Sequence, residues 1–171
     1  MENTEKVVYL DNAATTACAP EALAVMVEAL NGACGNPSSH YSVGYEAKEF
    51  VDKGRAQVAK AINASTSEIF FTGCGSEADN WAVKGTAFTK ARQNKKHLIT
   101  SAFEHHAILH TLKKLEKEGF EVELLPVGPI GTVTAQQVAD AIRPDTCLVT
   151  TMYANNEIGS CLLYTSDAAD D

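Results

Sequence analysis

From Glu68 onward the chain repeats one unit: a short apolar run, then a segment with apolar residues at helical spacing. Strands are expected at residues 69–72, 97–101, 122–125 and 147–152, with helices opening near Ser76, His105 and Thr134 between them. Strands that alternate with helices in this way return parallel to one another. The expected fold class is therefore α/β, a mainly parallel sheet with helices on both faces. Two of the helix starts carry capping-box patterns. Ser76 with Asp79, and Thr134 with Gln137, each set a hydroxyl at the N-cap and an acceptor three residues on. Gly119, placed after Ile108, Leu112 and Leu115, suits a helix C-cap.

The first third of the chain follows a different grammar. Val7 to Leu10 is an apolar run that ends in the small polar residues Asp11-Asn12-Ala13-Ala14-Thr15-Thr16. Pro20 then opens a helix on which Ala22, Leu23, Met26, Val27 and Leu30 recur, and Gly32 stops it. A turn-rich stretch, Gly35-Asn36-Pro37-Ser38-Ser39, leads into a second amphipathic helix at about 44–62, with Ala47, Phe50, Val51, Val58, Ala59 and Ile62 as its apolar face. Residues 1–64 are thus expected to form an N-terminal helical arm, and residues 65–159 an α/β domain.

Open parallel sheets hold ligands beyond the carboxyl ends of their strands, so chemistry is expected at three junctions. At Phe71-Thr72-Gly73-Cys74-Gly75-Ser76-Glu77 an apolar run passes through two glycines into a helix. A helix N-terminus there would bind phosphate well. A tight turn that needs glycine for its backbone explains the same residues equally well. Gly73-x-Gly75-x-x-Ala78 also fits the dinucleotide fingerprint, with Glu104 as a ribose acceptor that lies further on than usual. At the second junction, Glu104-His105-His106, an imidazole can stack on a flat ligand and exchange protons near neutral pH, while His106 reads as a surface residue. At the third, Asn155-Asn156, side-chain amides can hold a ligand oxygen or simply make a turn.

Fourteen Lys and Arg against twenty-two Asp and Glu give a net charge of −8, with no basic cluster beyond Lys95-Lys96 and Lys113-Lys114. This disfavours a nucleic-acid partner. No run approaches 18 apolar residues and the first residues do not read as a signal peptide, so neither a membrane span nor secretion is expected. The five cysteines, Cys18, Cys34, Cys74, Cys147 and Cys161, form no C-x-x-C pair, which points away from a disulfide framework or a metal site and toward a reducing, cytoplasmic setting.

Five motifs together resemble the cysteine desulfurases, class V enzymes of the fold-type I pyridoxal-phosphate group. They are Leu10-Asp11-Asn12-Ala13-Ala14-Thr15-Thr16, Gly35-Asn36-Pro37-Ser38-Ser39, Phe71-Thr72-Gly73 with Ser76-Glu77-Ala78-Asp79-Asn80, Glu104-His105, and Asn155-Asn156-Glu157-Ile158-Gly159. They stand in the family's order over residues 6–159. The resemblance implies part of the large domain of a fold-type I pyridoxal 5'-phosphate transferase. It implies that Gly75 and Ser76 hold the cofactor phosphate, that His105 stacks on the pyridine ring and acts catalytically in moving protons, and that Asn156 bonds the ring's phenolic oxygen. The implied reaction takes sulfur from L-cysteine, leaving L-alanine and an enzyme persulfide, for iron–sulfur cluster assembly or other thiolation. Sulfur-acceptor or scaffold proteins and a homodimer are the implied partners.

The sequence departs from the family pattern in several places. Tyr41 stands where the family usually has a histidine, His40 coming one residue early, and Gly75 replaces a more usual alanine. Residues 160–171 match nothing expected of the family. Family members are about twice as long or more, and the lysine that binds the cofactor covalently, the aspartate that partners the ring nitrogen, the persulfide cysteine and the carboxylate-binding arginine have no counterpart here. Lys84 and Cys161 lack the appropriate settings. The chain is therefore expected to be an N-terminal portion, inactive alone and able to bind pyridoxal phosphate only weakly and non-covalently. Two other readings remain at this point: another class V enzyme such as a selenocysteine lyase, and a non-catalytic nucleotide-binding α/β module.

Overall fold

In a computed structural model the described residues are 8–32 and 35–161. The first residue of the Val7–Leu10 run, Cys34, and the closing segment from residue 162 lie outside them. The chain divides into two compact units, one up to Phe71 and one from Thr72 onward. The sequence placed this division after residue 64. The intervening residues stay with the first unit through a 3-10 turn, Thr66–Glu68, closed by a reciprocal Ser65–Glu68 capping box.

The first unit holds helices α1 (Pro20–Gly32) and α2 (Ser42–Ala61). Pro20 opens α1, as its fixed φ and missing N–H allow. No residue of α1 is buried, and α2 buries only Gly44, Ala47 and Ala59. The predicted stripe on α2 is thus only partly covered: Val58 is 40% and Ile62 64% exposed. Gly44 is required by packing, because a Cβ there would meet the Ser39 carbonyl oxygen at 2.4 Å. That contact seats the 36–39 turn, which Asn36 closes by accepting from Ser38 N–H at 2.9 Å.

The expected strand at 69–72 does not form. A strand exists only where a neighbour completes its ladder, and the sheet consists of three other strands. In this segment the Ile69 carbonyl accepts from the Arg55 guanidinium, and that guanidinium lies 5.0 Å from the Phe71 ring centroid.

The second unit contains α3 (Gly75–Ala91), β1 (His97–Ser101), α4 (His106–Lys117), β2 (Glu121–Leu125), α5 (Ala135–Ala141) and β3 (Thr146–Thr150). The strands run parallel in the order β2-β1-β3, with Leu98 opposite Val122 and Leu148. All five residues of β1, the central strand, are buried. Successive β1 side chains serve opposite faces. Leu98 packs with Val83 and Ala87 of α3, with Ile108, Leu112 and Leu115 of α4, and with Phe120, whereas Ile99 packs with Leu125, Val133 and Ala141 of α5. Helices therefore cover both faces, as the alternation predicts.

Helix α4 ends in a Schellman motif. Phe120 N–H reaches the Leu115 carbonyl at 3.1 Å, Gly119 N–H reaches that of Glu116 at 3.1 Å, and Gly119 takes φ +87°. The amino ends of the outer strands are joined by charge: Arg143 donates to both Glu121 carboxylate oxygens at 2.6 and 2.8 Å, and to Asp145 at 3.1 Å.

Candidate functional site

Helix α3 starts two residues before the capping-box pattern suggested. Its N-cap is Cys74, extended at φ −166° and ψ 168°, which supplies no side-chain cap. Ser76 is therefore not the N-cap but the second helical residue. The Glu77 carboxylate does reach back, accepting from Gly73 N–H at 2.6 Å. Since the first intrahelical bond runs from Ala78 N–H to the Cys74 carbonyl, the amides of Gly75, Ser76 and Glu77 precede it and have no acceptor within the helix. The turn does not need glycine for its conformation, because neither Gly73 nor Gly75 has positive φ. A Cβ at Gly75 would meet nothing within 4 Å, so the alanine more usual in the family fits equally well; one at Gly73 would press the Glu77 carboxylate at 3.2 Å.

His105 is the N-cap of α4 and its ring has a defined role there. Nδ1 accepts from Ala107 N–H at 3.1 Å, so the neutral ring carries its proton on Nε2. Ser76 and His105 line one groove of about 390 Å³ between α3 and α4. From α3 the groove takes Ser76, Asn80 and Lys84, one turn apart; from α4 it takes His106, His110 and Lys114, also one turn apart. No carboxylate lines it. Asn80 joins the walls: its carboxamide oxygen accepts from Lys84 Nζ at 2.6 Å and from Thr111 Oγ1 at 2.7 Å. His106 does more than decorate the surface, since its ring stacks on that of His110 at 5.5 Å. Of these wall residues the sequence assigned Ser76 a role, set Lys84 and His106 aside, and gave no site role to Asn80, His110 and Lys114, although the 76/80/84 and 106/110/114 spacings were visible there.

Asn156 follows β3, the strand beside β1, so it stands beyond the carboxyl end next to that of His105. It is exposed, does not line the groove, and donates from Nδ2 to Glu157 Oε1 at 3.0 Å. Its neighbour Asn155 is the buried member of the pair, 5% exposed, with Oδ1 accepting from Glu157 and Ile158 N–H at 2.8 and 3.1 Å. The ribose-acceptor role considered for Glu104 is not available. Glu104 is buried, and its Oε1 accepts from Ser101 Oγ and Met152 N–H, each at 2.8 Å.

An uncapped helix start, two ammonium groups and a flat imidazole bordering one open groove suit a phosphorylated aromatic ligand, whose dianion would meet free N–H groups and no opposing carboxylate. Ser76 and His105, which line the groove, are thus of a chemistry that could hold pyridoxal phosphate.

The sequence pattern of the aminotransferase class-V family matches residues 8–166. The chain belongs to that family. Among class-V relatives, a Clostridium botulinum (strain Hall) protein named cysteine desulfurase IscS is 50% identical over 155 residues, covering 91% of this chain and 39% of that protein. A solved structure titled NifS-like protein superposes with a TM-score of 0.85 at 39% identity, covering 91% of this chain and 42% of the other. Another, titled SspA in complex with cysteine, gives 0.84 at 39% identity over 90% of this chain and 44% of the other. The chain thus spans about two fifths of the length of the class-V relatives it matches. The match to residue 166 runs into the segment 160–171 that the motifs left unassigned. At its start, Ser160 donates to the Gly131 carbonyl at 3.2 Å and Cys161 bridges Ala154. No helix among the described residues is long and apolar enough to cross a membrane.

Proposed function

We propose that this chain supplies the phosphate and ring contacts of a cytoplasmic cysteine desulfurase, a homodimeric enzyme that takes sulfur from L-cysteine, leaves L-alanine, and passes the sulfur to acceptor or scaffold proteins for iron–sulfur cluster assembly or thiolation. The observation that carries the reading is the uncapped start of α3, with Ser76 sharing one groove with the His105 ring. The names of the relatives, cysteine desulfurase IscS among them, and the cysteine-bound structural neighbour support the substrate class.

Gly75 and Ser76 N–H groups would bind the phosphate at the positive end of the α3 dipole, with the Ser76 hydroxyl as a further donor. The His105 ring, held through Nδ1, would stack on the pyridine face and offer Nε2 for proton transfer. Asn156 would donate from its carboxamide to the ring's phenolic oxygen. The bound cofactor supplies an electron sink for the carbon whose sulfur leaves. Within the 171 residues no lysine stands in the Ser-x-His-Lys setting expected of a covalent anchor.

The chain alone is therefore expected to bind pyridoxal phosphate reversibly. Treating it with pyridoxal phosphate and borohydride, followed by mass spectrometry, should give no stoichiometric adduct on any single lysine, Lys84 included. Full labelling of one lysine would defeat the assignment of the covalent chemistry to residues outside this chain.

A further inference from the structure

Glu104 stands beside His105 in the sequence but does not line the groove, and none of the roles above uses it. A buried carboxylate is costly unless it is well bonded, and here the bonds are specific. Its Oε1 accepts from Ser101 Oγ at the end of β1 and from Met152 N–H two residues past β3, each at 2.8 Å. The β1–β3 register ends at the Thr100–Thr150 pair. Beyond that pair the two chains would be free to splay, and the loops that follow carry His105 and Asn156. Glu104 extends the connection between them past the last rung. A second tie reinforces it, from Asn155 Nδ2 to the Phe103 carbonyl at 3.4 Å, while Asn155 Oδ1 closes the 155–158 turn.

We propose that Glu104 is a positioning residue: its buried carboxylate clamps the loop after β1 to the loop after β3, and so sets the distance between the His105 ring and the Asn156 carboxamide. What these groups are positioned against rests on the pyridoxal phosphate reading; the clamp itself does not. A single acceptor oxygen serves both donors, so glutamine can replace glutamate here while alanine cannot. The phosphate contacts, on α3, do not depend on it.

The test compares wild type, Glu104→Ala and Glu104→Gln in the whole chain by amide exchange, side-chain NMR and titration with inorganic phosphate and with pyridoxal phosphate. In Glu104→Ala the Met152 amide should exchange about tenfold faster or more, and the His105 ring and Asn156 carboxamide signals should move. Affinity for pyridoxal phosphate should fall about tenfold while affinity for inorganic phosphate stays unchanged. Glu104→Gln should restore all of these. Unchanged Met152 exchange and unchanged His105 and Asn156 signals in folded Glu104→Ala would overturn the proposal, as would equal losses for the two ligands. If Glu104→Ala does not fold, Met152 decides: slow exchange in wild type and Glu104→Gln supports the clamp, and fast exchange in wild type overturns it. A wild type that binds no pyridoxal phosphate but shows the exchange and signal changes would sink the cofactor reading and leave the clamp standing.

Discussion

Helix α5 begins on Thr134, whose hydroxyl accepts from Gln137 N–H at 3.1 Å while the Gln137 carboxamide accepts from Thr134 N–H at 2.8 Å. Helix α3 begins on Cys74, which brings no capping side chain, and of its first-turn residues Ser76 lines the groove. Both starts belong to the same α/β unit, yet one is closed by its own sequence and the other is left for something else. The difference teaches where a ligand belongs: free N–H groups are tolerated at a helix end where water or an anion satisfies them. Helix α4 lies between these cases, because the residue that caps it, His105, also borders the groove.

Closing the open start should have the largest effect on binding. Cys74→Asp would place a carboxylate over the amides of Ser76 and Glu77 and compete with the phosphate. Pyridoxal phosphate affinity is expected to fall by about 2 kcal/mol, roughly thirtyfold, measured by fluorescence titration. The helix itself should be no less stable, since aspartate is a preferred N-cap. Unchanged affinity would remove the contrast between the two helix starts.

His105→Ala should weaken pyridoxal phosphate by about 1 kcal/mol, roughly fivefold, through loss of ring stacking, and leave inorganic phosphate binding unaltered. Because the α4 cap is also lost, the midpoint of thermal unfolding should drop by a few degrees.

Opening the closed start is the converse experiment. Thr134→Ala is expected to cost about 1 kcal/mol of stability, a fall of about 2–4 °C in Tm, with no change in affinity for either ligand. A change in phosphate affinity would mean that α5 contributes to the site.

The smallest effect is expected at the far end of the sheet, where contacts are exposed and charged. Arg143 holds the Glu121 and Asp145 carboxyls below their usual range, mainly through direct hydrogen bonds. Groups lowered in this way stabilise the fold above their unfolded pKa, and the contribution is lost as pH falls through the folded pKa. Arg143→Gln should therefore flatten the acid side of a urea-midpoint profile between about pH 5 and 3 at low salt, with little change at high salt.

Much of this was legible in the sequence. Short apolar runs and helical spacing placed β1, β2, β3 and the helices between them, and Thr134 with Gln137 announced its own cap. Residues 69–72 misled because an apolar run becomes a strand only with ladder partners, and no local pattern reports whether these are present. Ser76 misled because the Glu77 carboxylate bonds Gly73, and the N-cap falls on Cys74, two residues before the apparent box. The burial of Glu104 was hidden for a different reason: its partner Met152 lies 48 residues away, and only the adjacency of β1 and β3 brings them together. The groove walls, by contrast, could have been found from the four-residue spacing of polar and basic side chains on two successive helices.

The central claim is that Gly75, Ser76, His105 and Asn156 serve one ligand. A proton–nitrogen NMR titration of the chain with pyridoxal 5'-phosphate tests it directly. The Gly75 and Ser76 amides, the His105 ring and the Asn156 carboxamide should shift together along one saturation curve, while the Thr134 and Gln137 amides stay still. Shifts that saturate at separate concentrations, or that leave Gly75 and Ser76 unmoved, would contradict it.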